Sequence, residues 1–159
     1  MALPKQIKEL ISLDDRQRRY LFGAVHELLV ARWCFSRHSI ERILRELHVR
    51  QSSGPVGNDE RFDINYASWA LAVASRHVPW RADCLIQAMA AHRWLKRHGL
   101  VSEFYVGVAK QNGGALIAHA WLKVGDLNVT GGSVSQYSII ARPELGWRQD
   151  TENRSESMS

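Results

Sequence analysis

The sequence predicts an α+β fold in which a helical N-terminal part packs on a small antiparallel sheet, and three observations lead there. Apolar residues recur at helical spacing up to about residue 98. Beyond it, from about residue 103 to 140, come β-rich runs separated by Asn/Gly and Gly/Asp turns. The chain has 159 residues, 45% hydrophobic and 23% charged, enough to close one core without a disulfide or a metal. Helices first and strands later is the order of an α+β domain.

The elements follow in order. Ser12-Leu-Asp-Asp15 has the form of a helix start, and Leu21, Val25, Leu28, Leu29 and Phe35 recur behind it, predicting a helix from about 13 to 35. Ser39 can cap a second helix carrying Ile40, Ile43, Leu44 and Leu47, before the turn-rich run 51–58. Phe62, Tyr66, Trp69, Ala70 and Val73 share the face of a third, which Pro79 ends by forcing the preceding residue out of the α region. Asp83 can cap a fourth, in which Cys84, Ala88, Ala91 and Leu95 form the buried stripe and Gly99 the stop.

Strands are predicted at Phe104 to Ala109 and Leu116 to Val124, joined by Gln111-Asn-Gly-Gly114. Gly125-Asp126 is a two-residue turn into Leu127 to Thr130, Gly131-Gly132 permits a bend, and Tyr137 to Ile140 reads as a fourth strand. No internal repeat occurs. One domain over 1–159 is therefore expected: a helical part over about 12–78, a further helix over about 83–98, the sheet over about 103–140 and a frayed polar tail over about 148–159.

The formal charge is +5, but Lys and Arg are interleaved with Asp and Glu, as on a solvated basic surface. Neither an RNA-binding aromatic pattern nor a Cys/His finger spacing occurs, so no nucleic-acid partner is expected. The N-terminus lacks a signal-peptide core, and the most apolar stretch, Tyr20 to Ala31, is broken by Glu27 and closed by Arg32. No membrane partner follows from it, and a cytoplasmic location with reduced thiols is the expectation. No cofactor or metal is implied.

Chemistry concentrates at Cys84 and His119. A thiol reacts as its thiolate, and the first turn of a helix, where the Asp83 cap puts Cys84, offers unpaired N–H groups and the positive end of the macrodipole. Cys34, between Trp33 and Phe35, has no such setting and reads as a small core hydrophobe. Strand alternation puts Ile117, His119, Trp121 and Lys123 on one face, and the small neighbours in Ala-His-Ala-Trp clear space around the imidazole. A cysteine nucleophile with a histidine base is the chemistry these residues predict.

Trp80-Arg-Ala-Asp-Cys-Leu85, Leu95 to Gly99 and Ala118-His-Ala-Trp-Leu122 together resemble the lasso-peptide leader peptidases, the protease half of the B proteins that mature lasso peptides, including the microcin-processing enzyme. The resemblance runs from the long N-terminal helix through Gly131-Gly132 and Tyr137. It implies a transglutaminase-like, papain-like cysteine protease core in which Cys84 attacks the leader-core peptide bond and His119 is its base. It also implies the partners: the leader region of a lasso precursor, a leader-recognition protein and an ATP-dependent lasso cyclase. A separate recognition protein is expected because no small leader-binding domain precedes the first helix.

The chain departs from the transglutaminase pattern where that pattern supplies an acid from the next strand to orient the imidazole. With Gly125-Asp126 as the turn, Lys123 pairs with Asn128, Trp121 with Thr130 and His119 with Gly132, so Thr130 takes the expected acid position. Asp126 is too far along the strand, Asn128 is a second candidate orienter, and Asp63, Asp83 and Glu103 are acids that other elements can bring in. Trp80, Arg81, Trp121 and Asn128 are the candidate substrate contacts. Three readings remain open: leader hydrolysis, acyl or amide transfer by the same pair, and a noncatalytic peptide-binding module.

Overall fold

A computed structural model describes residues 13–39, 42, 43, 47, 56–110 and 114–141. The expected second helix, apart from exposed Arg42 and buried Ile43 and Leu47, lies outside the described residues, as do most of the 51–58 loop, the turn residues 111–113 and the tail. The described elements are helices α1 (Asp15–Arg37), α2 (Asn58–Ala74) and α3 (Cys84–Arg97), then strands β1 (Glu103–Lys110), β2 (Leu116–Val124), β3 (Leu127–Asn128) and β4 (Ser138–Ala141). This is the expected α+β arrangement. The strands form one antiparallel sheet in the order β3-β2-β1-β4.

Local chemistry sets the helix ends. Asp14, not Ser12, caps α1: its carboxylate accepts from Gln17 N at 2.6 Å while the Gln17 side chain accepts from Asp14 N, a reciprocal box. Gly99, at φ +74°, ends α3 in a Schellman turn, with Gly99 N donating to Lys96 O and Leu100 N to Leu95 O. The α1–α3 and α2–α3 contacts run through small residues: Ala24, Ala31, Ala67, Ala70, Ala90 and Ala91 are all buried. On the sheet side the same core takes in Phe104, Ala120, Leu122 and Val124.

Two helix faces differ from the periodicity reading. On α1 the core side is Ala24, Glu27, Leu28 and Ala31, while Val25 and Leu29 are exposed. On α2 it is Ile64, Ala67, Ala70, Leu71 and Ala74, and the aromatic face is displaced to the rim, with Phe62 half exposed. The reason is common to both: alanines permit close helix approach, and the bulky rings are accommodated beside the contact. Tyr66 stands between Phe62 and Tyr20 there, with ring centroids at 4.8 and 5.4 Å.

Glu27, which interrupts the apolar run in the sequence, is fully buried and ties α1 to α3, accepting from Arg93 Nε at 3.3 Å and from Arg97 Nη2. Asp63 of α2 is held by Tyr20 and Arg16 of α1, at 2.7 and 2.8 Å. The Tyr20 hydrogen bond, helped by the Arg16 guanidinium, sets the Asp63 carboxyl below its ordinary range against a smaller opposing effect of burial. A depressed folded-state pKa gives stability that is present above the unfolded value of about 3.9 and lost as pH falls through the folded one. Asp63→Asn is therefore expected to flatten the acid side of the stability profile below about pH 4, measured by urea unfolding across a pH series.

Candidate active site

Cys84 is the first residue of α3, and Asp83 is its cap, accepting from Ile86 N at 3.2 Å while its carbonyl accepts from Gln87 N at 3.0 Å. The amides of Cys84 and Leu85 donate to no group among the described residues, so two N–H groups at the positive helix end border the thiol. The thiol is partly buried against the core. Cys34, the other free thiol, is a partly buried mid-helix residue packed against that core, as expected.

Before the helix, Trp80 packs partly buried, and its indole N–H is enclosed without a hydrogen-bond partner among the described residues. Arg81 is 85% exposed, with Nε 3.7 Å from Asp83 Oδ2. A cation this solvated keeps its reach but adds little to the fold.

On β2 the alternation is as expected, and it separates two environments. Ala120, Leu122 and Val124 enter the core shared with the helices, and His119 and Trp121 lie on the other face. There the Trp121 ring stacks on Tyr105 of β1 at 5.7 Å, while the His119 ring stacks on Tyr137 at 4.9 Å and on Trp121 at 6.1 Å. Gly107, opposite His119 in the β1–β2 register, makes room: a β-carbon there would fall 2.9 Å from both the Trp121 ring and Tyr137 Cβ. Trp121, a candidate substrate contact, is only 2% exposed and stacks on the imidazole from within the fold.

The β2–β3 ladder starts in the expected register, Val124 with Leu127 and Lys123 with Asn128, and then stops. Val129 N and Thr130 N both turn to Leu122 O, the Thr130 hydroxyl accepts from Leu122 N at 3.1 Å, and Val129 O is taken by Ser68 Oγ of α2 at 2.7 Å. The expected pairs Trp121–Thr130 and His119–Gly132 therefore do not form. Thr130 is buried, and its hydroxyl caps the strand instead of orienting the imidazole. Asn128 is exposed, and its side chain has no hydrogen bond among the described residues. Of the acids considered, Asp126 is paired with Arg61, Asp63 with Arg16 and Tyr20, and Asp83 with its own helix.

The Gly131 carbonyl holds His119 in their place, 2.9 Å from Nε2. A carbonyl can only accept, so Nε2 carries the proton and Nδ1 is the basic nitrogen. The Gly131-Gly132 bend makes this possible: Gly131 has φ +94°, and a β-carbon on it would overlap Trp121 Cβ and come within 3.1 Å of His119 Nε2. The pair was legible as a bend, but its contact with the imidazole was not. No hydrogen bond joins Cys84 to His119 among the described residues, although α3 packs on β2.

No helix among the described residues is long and apolar enough to cross a membrane, and no group of three or more metal-ligating side chains occurs among them. Neither the curated proteins nor the solved structures include a significant match. A family model does match, over residues 26–142, from within α1 to the end of β4, and takes in Cys84, His119 and the Gly131 bend. With most of its length under that match, and with a capped helix headed by a thiol set on an antiparallel sheet that bears a carbonyl-held histidine, the chain belongs to the transglutaminase-like superfamily.

Proposed function

We propose that this protein is a cysteine peptidase that removes the leader from a ribosomally made lasso precursor, working with a separate leader-recognition protein and ahead of an ATP-dependent cyclase. The observation that carries the proposal is Cys84 at the head of a capped helix, inside a motif that resembles the leader peptidases, in a chain of the transglutaminase-like superfamily.

In this reading Cys84 and His119, which share no hydrogen bond among the described residues, are brought together when the peptide binds; His119 Nδ1 then takes the Cys84 proton and the thiolate adds to the carbonyl carbon at the leader-core junction. The amides of Cys84 and Leu85 stabilise the oxyanion. Collapse breaks the C–N bond, the core leaves as a free amine with the proton from the imidazolium, and the leader stays on sulfur as a thioester. Water, deprotonated by His119, releases it as a carboxylic acid. The solvated Arg81 is the donor best placed in sequence to engage the bound peptide.

Mass spectrometry of a lasso precursor, incubated with its recognition protein and either the native chain or Cys84→Ala, tests the proposal. Cleavage by the native chain and none by the variant is the expected result; equal trimming by both refutes it. A noncatalytic peptide-binding reading is favoured by one observation, the lack of a hydrogen bond between Cys84 and His119. It predicts precursor binding without cleavage and a Cys84 no more reactive toward iodoacetamide than a free cysteine. Transfer to an amine in place of water would show as a product heavier than the hydrolysed leader by the mass of the amine less water.

A further inference from the structure

The exposed face of α1 carries a feature that neither the fold nor the site uses. Phe22, Val25, Leu29 and Trp33 are 76, 38, 50 and 54% exposed. Their spacing of three, four and four residues brings them onto one ridge about 16 Å long at 1.5 Å rise per residue. They are not a fringe of the core, because the core side of the same helix is Ala24, Glu27, Leu28 and Ala31. A contiguous apolar ridge rimmed by polar groups marks an interaction surface.

The rim is cationic. Arg18 and Arg32 fall along one side of the ridge and Arg19 and Arg37 along the other at 100° per residue, and the Arg37 guanidinium lies 5.2 Å from the Trp33 ring. The acids of α1 are Asp15, which pairs with Arg18 at 2.6 Å, and Glu27, which is buried on the opposite side. A second copy of α1 would set arginines against arginines in either orientation, so self-association through this face is disfavoured. The ridge is one side chain wide and has the spacing of a helix-helix seam, which suits a helix better than a lipid plane.

We propose that the Phe22-Val25-Leu29-Trp33 ridge of α1 is a docking site for an amphipathic helix of another protein whose apolar seam is flanked by Asp and Glu. Its charges complement the arginine rim, and the seam covers the ridge. The site is independent of the reaction assigned to Cys84.

The test uses the full chain and two fluorescent helical peptides with the same leucine seam, one flanked by Glu and the other by Lys. Fluorescence anisotropy is expected to show the Glu peptide binding about tenfold or more tightly than the Lys peptide, more weakly as salt is raised. Trp33→Ser should weaken it about tenfold, as for an interface anchor. Arg32→Glu with Arg37→Glu, which leave the four ridge side chains in place, should reverse the preference. Equal binding of both peptides, no binding of either, or indifference to Trp33→Ser overturns the proposal. So does co-sedimentation with vesicles of equal phosphatidylcholine and phosphatidylglycerol that Trp33→Ser abolishes, or a native dimer that Trp33→Ser dissociates.

Discussion

Gly131→Ala is expected to lower thiol-dependent cleavage by about a hundredfold in kcat/KM, the loss that follows when a catalytic group is displaced by about an ångström. The added β-carbon would overlap Trp121 Cβ and crowd His119 Nε2, at a φ of +94° that an L side chain rarely adopts. The carbonyl that fixes the imidazole tautomer must then move. Gly132→Ala is the matched control: its φ is +61°, yet its β-carbon would meet nothing within 4 Å. It should cost about 1 kcal/mol in stability from backbone strain and leave turnover within about threefold. Nitrogen NMR of His119 provides a readout that a purely structural role would not move. The native chain should show the proton on Nε2, and Gly131→Ala a mixture of tautomers. If both variants retain full activity, the carbonyl is not the orienting group.

Removing the arginines from Glu27 should unfold the protein more readily than removing Glu27 itself. The carboxylate is fully buried, whereas the Arg93 and Arg97 side chains are 40 and 52% exposed. Taking both arginines to alanine leaves the buried carboxylate with only the exposed His26 imidazole, 3.3 Å from its Oε1, a change that costs about 3–5 kcal/mol when one side of such a pair is deleted. Glu27→Leu removes the carboxylate, keeps most of the volume, and lets the guanidiniums rehydrate in place, so it should cost less than about 1.5 kcal/mol. Urea denaturation of the two variants gives the order directly. A Glu27→Leu chain less stable than the double arginine variant would mean that the ion pairs supply net stability beyond the cost of burying the carboxylate.

Much of the fold was legible because its signals are local. Asp83 caps α3 through its own side chain, Gly99 ends the helix through its own φ, and Gly125-Asp126 closes the β2–β3 hairpin within two residues. The same locality exposed the candidate chemistry, since a thiol at a helix start and a histidine on an alternating strand require only the residues around them. The resemblance added a reaction to these residues, and the superfamily match supports the scaffold on which that reaction is proposed.

What tertiary structure decided were the choices that local pattern leaves open. Helix α1 is apolar on two sides, and periodicity cannot say which one faces inward; Ala24 and Ala31 won because small side chains let α2 and α3 approach, leaving Leu29 and Trp33 outside. Glu27 reads as an interruption in the sequence and becomes the centre of a buried ion cluster only when Arg93 and Arg97 arrive from α3. Thr130 sits where hairpin register predicts an orienter. The ladder ends early because Ser68 draws away the Val129 carbonyl and the Thr130 hydroxyl takes the Leu122 amide, so Gly131 O reaches His119 instead. By itself the sequence indicated most of the described elements, several of their ends and the candidate site side chains, all of which depend on neighbours within about one turn. Only the folded chain determined which faces are buried and which carbonyl meets the imidazole, because both are settled by contacts between residues far apart in the chain.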